Sequence, residues 1–181
     1  MKLNTPICDF DWSAPDFTLP DPHGKPHTMK DYLGEKGLLI AFICNHCPYV
    51  KAIATRLAAD CRALQAEGIP TLAVMSNDFT HYPADAPDQM LIFAQEHDFG
   101  FPYLIDEFQE VAKAYGAVCT PDFFGLNAQG HLQYRGRLDD GGRTEGLGRV
   151  PELRDAMRQI AATGVGPGDP QPSIGCSIKW R

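Results

Sequence analysis

A chain of 181 residues, 44% of them hydrophobic, can bury one core without disulfide staples. Its net charge of −7 and pI near 5.2 deny it the basic footprint that holds nucleic acid or an anionic membrane, so neither is expected as a partner. No run of about 18 apolar residues is present and MKLNTPICDFDWSAPDF lacks the apolar stretch of a secretory signal, so a cytoplasmic location is expected.

The first elements are short. Phe17 and Leu19 on one side of DPHGKPHT, and Met29 and Tyr32 on the other, read as a hairpin-like lead-in. GLLIAFI, Gly37 to Ile43, is a continuous apolar run that suits a central strand covered on both faces. Val50, Ile53, Ala54, Leu57, Ala58, Cys61 and Leu64 then recur at helical spacing, so a long helix should start near Cys47 and close at Gly68. Ile69 to Ser76 is the next buried strand, and the polar loop NDFTHYPADAPD leads to a helix from Asp88 to His97. The alternation of strand and helix makes this an α/β fold with a parallel core.

Beyond it, a strand at Tyr103 to Ile105 and a helix at Phe108 to Tyr115 precede a hairpin, Asp122 to Leu126 and His131 to Leu138, around NAQG. On the return strand Leu132, Tyr134 and Leu138 should share one face, with His131, Gln133, Arg135 and Arg137 on the other. A helix fits Pro151 to Ala162. The tail, residues 164–181, is rich in Gly and Pro, but Ile174, Cys176, Ile178 and Trp180 alternate with polar or small residues, so it should dock as a strand with that apolar face on the body.

Six cysteines (Cys8, Cys44, Cys47, Cys61, Cys119 and Cys176) in a reducing compartment read as catalytic, metal-binding or packed thiols rather than structural bridges. Cys44 and Cys47, in FICNHCPYV, lie between a buried strand and a helix start, with Asn45 and His46 between them and Pro48 after. Unpaired N–H groups and the helix dipole should stabilise a thiolate on Cys44, and a protonated His46 would add to the effect. A zinc site would want two more ligands at short spacing; no second CxxC exists, so no metal is expected, nor any other cofactor.

Downstream, Cys119-Thr120-Pro121 precedes the hairpin. With APDFTLPDPHGK, LLIAFICNHCP, VMSNDF, FPYLID and VCTPDFFGLNAQG, the chain from Ala14 to Leu138 resembles the thioredoxin superfamily, in its redoxin branch of AhpC/TSA-like and TlpA/ResA-like proteins. The resemblance implies a thioredoxin-like three-layer α/β/α domain over residues 1–163, with a mixed sheet, the N-terminal hairpin and the docked tail. It also implies a cis Pro121 beside the CxxC and an exposed attacking thiol at Cys44. Where thioredoxins have a Trp before the first cysteine and an acid six residues before it, this chain has Ile43 and Leu38. The peroxiredoxin motif PxxxTxxC would need Thr and Pro where Ala41 and Gly37 precede Cys44, or where Cys44 and Ile40 precede Cys47.

The expected activity is therefore thiol-disulfide exchange: Cys44 attacks a substrate disulfide, Cys47 resolves the mixed disulfide, and His46 makes the pair more oxidising than thioredoxin. The substrate would be a protein or small-molecule disulfide or dithiol, served by an unidentified electron donor. A peroxidase of peroxiredoxin type and a non-catalytic binding module of the same fold are the alternatives. Cys176 and Cys119 are candidates for a third thiol at the site, whereas Cys61 belongs to the core. His23, His27, His81, His97 and His131 read as surface residues, Asp139-Asp140 and Asp106-Glu107 as solvated loop ends, and Tyr82, Pro83 and Pro87 as a plain connection.

Overall fold

The computed structural model describes all 181 residues. In chain order the elements are β1 (Lys2–Asn4), β2 (Thr18–Pro20), β3 (Pro26–Thr28), α1 (Met29–Tyr32), β4 (Leu38–Phe42), α2 (Pro48–Ala66), β5 (Thr71–Met75) and α3 (Pro87–Glu96). There follow β6 (Tyr103–Ile105), α4 (Glu110–Tyr115), β7 (Cys119–Thr120), β8 (Asp122–Leu126), β9 (Leu132–Gly136), α5 (Glu152–Thr163) and β10 (Ile174–Ser177). The central sheet has the order β6-β5-β4-β8-β9, parallel across β4, β5 and β6 and antiparallel at β8 and β9.

β4 is central because all five of its residues are apolar and buried, and period-2 alternation sends them to opposite faces. Leu39 and Ala41 join Ile53 and Leu57 of α2, Phe93 of α3 and Met157 of α5. Leu38, Ile40 and Phe42 meet Phe17, Val111, Tyr115 and Phe124 on the other face. The three-layer α/β/α arrangement is thus present, with the β2–β3 hairpin as its N-terminal extension. α2 starts where Pro48 sets the first helical φ and ends where Gly68, at φ +85°, turns the chain into β5.

Four expectations need correction. In β9, Gly125 pairs with Tyr134 but Leu126 pairs with Leu132, so Gln133 is an extra residue and the face reverses at this bulge. Leu132 therefore packs in the cluster of Phe124, whereas Tyr134 and Leu138 pack in that of Phe123. Asp139 and Asp106 are buried rather than solvated: Arg56 donates two hydrogen bonds to Asp139, at 2.8 and 3.0 Å, and Asp106 accepts from Ser76 and from the N–H groups of Val111 and Ala112 at the start of α4. His27 is buried too, held between Asp21 and Tyr32.

The tail docks as a strand, but in a second sheet of order β1-β10-β7, with both neighbours antiparallel to it. Of its apolar face only Ile178 is buried; Ile174 and Trp180 are exposed and Cys176 is half-buried. Ile174 faces a cleft of 130 Å³ lined also by Tyr49 and Pro121, so the alternation marks the rim of a surface cleft instead of a packed core. No helix is long and apolar enough to cross a membrane.

Candidate active site

β4 ends at Phe42, so Cys44 lies in the turn after the strand, and Cys47 becomes the residue capping α2. Thr120, at the end of β7, reaches both sulfurs. Its hydroxyl lies 3.3 Å from Cys44 Sγ, and its carbonyl oxygen, 3.4 Å from Cys47 Sγ, accepts from that thiol when it is protonated. The Thr120–Pro121 peptide bond is cis, as the resemblance implied. All six cysteines are free. The exposed thiol expected at Cys44 is absent: Cys44 is 1% exposed and Cys47 is 0%. Both pack among Val50, Ile53 and Phe123, and the pairing of β10 with β7 lays the tail against the Thr120 segment.

The charge is also placed differently from expectation. Cys47 is pulled down to about 4, first by a hydrogen bond from Cys44, then, against burial, by the Cys176 thiol and the N–H groups of Val50 and Cys176. Cys44 is pushed well above the ordinary thiol range by its hydrogen bond to Cys47, by burial and by the Asp85 carboxylate. The reason lies in the helix. Cys47 is the capping residue of α2, so the N–H of Val50, the third residue of the helix and without a partner inside it, acts on Cys47 rather than on Cys44. In the reduced pair the negative charge thus falls on Cys47 and the proton on Cys44.

Asp85, in the short helical turn of residues 83–85, was not singled out by sequence reasoning. It is fully buried and accepts the N–H of Asn45 at 2.8 Å, the N–H of His46 at 3.3 Å, the His46 ring at 2.5 Å and the Asn77 amide at 2.9 Å. Burial works to raise this carboxyl, but the hydrogen bonds from His46 and Asn77 outweigh it and hold it below the usual carboxylate range. A buried carboxylate is thus brought beside Cys44 by the loop after β5. The segment expected to be a plain connection delivers it, and Tyr82 of that segment stacks on His46 with centroids 5.8 Å apart. Asn45 is locked by Ala84 and by Tyr103, whose hydroxyl donates to it at 2.9 Å.

Cys44, Asn45, His46, Cys47, Pro48, Thr120 and Pro121 are therefore brought together, and Cys176 lies against Cys47. Cys119 is buried, is pushed up to about 12 by burial, and hydrogen-bonds neither sulfur. Cys61 is buried on α2 as expected. Cys44, His46 and Asp85 offer a sulfur, a nitrogen and an oxygen within 4.8 Å of one another. Three such donors suit an open metal site, but the nitrogen and both carboxylate oxygens already serve one another or Asn45 and Asn77.

A CxxC at the end of a central strand, facing a cis-proline, fits the thioredoxin-like fold, which a solved thioredoxin-family structure from Chlorobium tepidum shares with a TM-score of 0.64 at 14% identity, covering 82% of this chain and 95% of its own. The sequence model of the AhpC/TSA family matches residues 11–135, and the chain belongs to that family. Peroxiredoxin Bcp of Escherichia coli is 24% identical, over 73% of this chain and 80% of its own. The thiol-disulfide oxidoreductase ResA of Geobacillus thermodenitrificans is 29% identical over 67% of this chain and 65% of its own. A crystal structure of a hypothetical protein from Sinorhizobium meliloti, 35% identical, covers 98% of both chains with a TM-score of 0.91. The chain is thus similar to redox enzymes of both the peroxiredoxin and the thiol-disulfide oxidoreductase type.

Proposed function

We propose that this protein exchanges electrons between dithiols and disulfides through Cys44 and Cys47, in a reducing compartment such as the cytoplasm. The observation that carries the reading is the placement of two buried sulfurs at a helix N-terminus, both within reach of Thr120 ahead of a cis-proline, with the Cys47 thiol pulled down to about 4. Cys44 attacks a substrate disulfide after passing its proton to Cys47. The resulting mixed disulfide is resolved when Cys47 gives up that proton and attacks Cys44 Sγ, releasing the reduced substrate. The His46–Asp85 pair holds the turn between the two sulfurs in shape. The substrate is a protein or small-molecule disulfide or dithiol, and a separate electron donor restores the reduced pair.

Similarity to peroxiredoxin Bcp favours peroxide as the second reading. Against it, neither Cys44 nor Cys47 carries the Pro and Thr of a peroxidatic motif; Gly37 and Ala41 stand in those places before Cys44. The test is trapping. The Cys47→Ser variant should accumulate a mixed disulfide between Cys44 and a disulfide substrate, and Cys44→Ser should lose exchange. Turnover of hydrogen peroxide with a sulfenate on Cys44, and none of disulfides, would select the peroxidase instead. A binding module would show neither, with thiols that react as free ones near pH 8.5, about the ordinary value.

A further inference from the structure

We propose that Cys176 is a third redox thiol of this site, which takes over the disulfide by bonding to Cys47 and presents it to the electron donor. This rests on the dithiol reading of Cys44 and Cys47.

Placement comes first. β10 is the middle strand of its sheet, and Cys176 is paired across it with Lys2 on one side and Thr120 on the other. Thr120 is the residue that touches both Cys44 and Cys47, so three sulfurs gather around one backbone position. Cys176 packs against the cluster that holds both sulfurs, and its thiol and N–H are among the groups that lower Cys47. The strand is held on either side of this point. Thr5 and Ser173 exchange two hydrogen bonds, and Lys179 is bonded to both Asn77 and Asp78. Gly175 packs so tightly on β7 that a Cβ there would lie 1.9 Å from the Thr120 carbonyl oxygen. Cys176 is therefore a fixed neighbour of Cys47, whereas Cys119, on the strand beside it, makes no hydrogen bond to the pair.

Access comes second. Cys44 and Cys47 are sealed, and Cys176 is the one residue of the three that is only half-buried. A bulky reductant meets its sulfur first. In the exchange step the Cys176 thiolate attacks Cys47 Sγ of the Cys44–Cys47 bond. The Cys47–Cys176 bond forms, the Cys44–Cys47 bond breaks, and Cys44 leaves as a thiolate that takes up the proton Cys176 gave. No electrons are gained or lost. A dithiol donor then attacks Cys176 Sγ and expels Cys47, and its second sulfur closes the donor's own disulfide to free Cys176. Cys47, the most acidic thiol of the three, is the best leaving group for this second step.

The test oxidises the reduced wild type and Cys44→Ser with graded glutathione disulfide, blocks free thiols with N-ethylmaleimide, and maps the bonds by mass spectrometry. The expected result is a Cys47–Cys176 bond in Cys44→Ser and, beside Cys44–Cys47, in the wild type. In addition, Cys176→Ser should slow reduction of the oxidised pair by dithiothreitol about tenfold or more. If the wild type forms Cys44–Cys47 while Cys44→Ser carries glutathione adducts and never Cys47–Cys176, the third thiol is overturned and the dithiol reading stands. If the wild type forms no Cys44–Cys47 bond at all, the dithiol reading falls and the relay with it.

Discussion

Cys47 is lowered by the thiols of Cys44 and Cys176 and by the N–H groups of Val50 and Cys176, while the Asp85 carboxylate raises Cys44. The thiolate of the reduced protein therefore belongs to the inner cysteine. Its absorbance near 240 nm should titrate at about pH 4 in the wild type and be lost in Cys47→Ser; an onset only near the free-thiol range would contradict this placement of charge. Asp85→Asn removes the carboxylate that raises Cys44, so Cys44 should react faster with iodoacetamide at a given pH. The same change weakens the hydrogen bonds to Asn45, His46 and Asn77, at a cost of roughly 1–3 kcal/mol in urea unfolding. Sequence made the cysteines legible because strand, turn and helix start are contiguous around them. It did not reveal Asp85, which lies 39 residues beyond His46 in a loop without periodicity and is brought in only by tertiary packing.

Two strands carry more than their length suggests. β10 was legible as a docked strand from its alternation, but not its partners, because pairing with β1 and β7 joins the two ends of the chain. Gly175→Ala should force β10 away from Thr120, with a loss of roughly 1–3 kcal/mol from overpacking. Alkylation of Cys44 should then be faster than in the wild type; an unchanged rate would show that the tail does not restrict access. On the hairpin, Arg135 donates to Asp122 at 2.7 and 3.2 Å, both side chains being buried beside Pro121. Burial pushes Asp122 up to about 6 although Arg135 pulls it down. An acid raised in the folded state favours folding most below its ordinary value, so stability from this group falls as pH rises from about 4 through about 6. Arg135→Leu should cost roughly 3–5 kcal/mol by leaving the carboxylate unpaired, and Asp122→Asn in the same chain should recover part of it, both read from urea midpoints. The bulge at Gln133 escaped sequence reading because its neighbours are apolar whichever face they occupy.

In the whole molecule, a mixed sheet between two helical layers holds the CxxC at the end of its central strand, and a second, smaller sheet brings the tail to it. The layers were readable from continuous apolar strands and helical periodicity. The closure of the site was not, since it depends on how residues far apart in sequence meet. Stabilising a thiolate stabilises the reduced pair and so makes its disulfide a stronger oxidant. The central claim is thus tested most directly by the equilibrium reduction potential of the Cys44–Cys47 couple against glutathione, with the bond identified by mass spectrometry. A single two-electron transition of that bond, above the roughly −270 mV of thioredoxin, is predicted. A potential at or below that value, or no Cys44–Cys47 bond at any glutathione ratio, would contradict it.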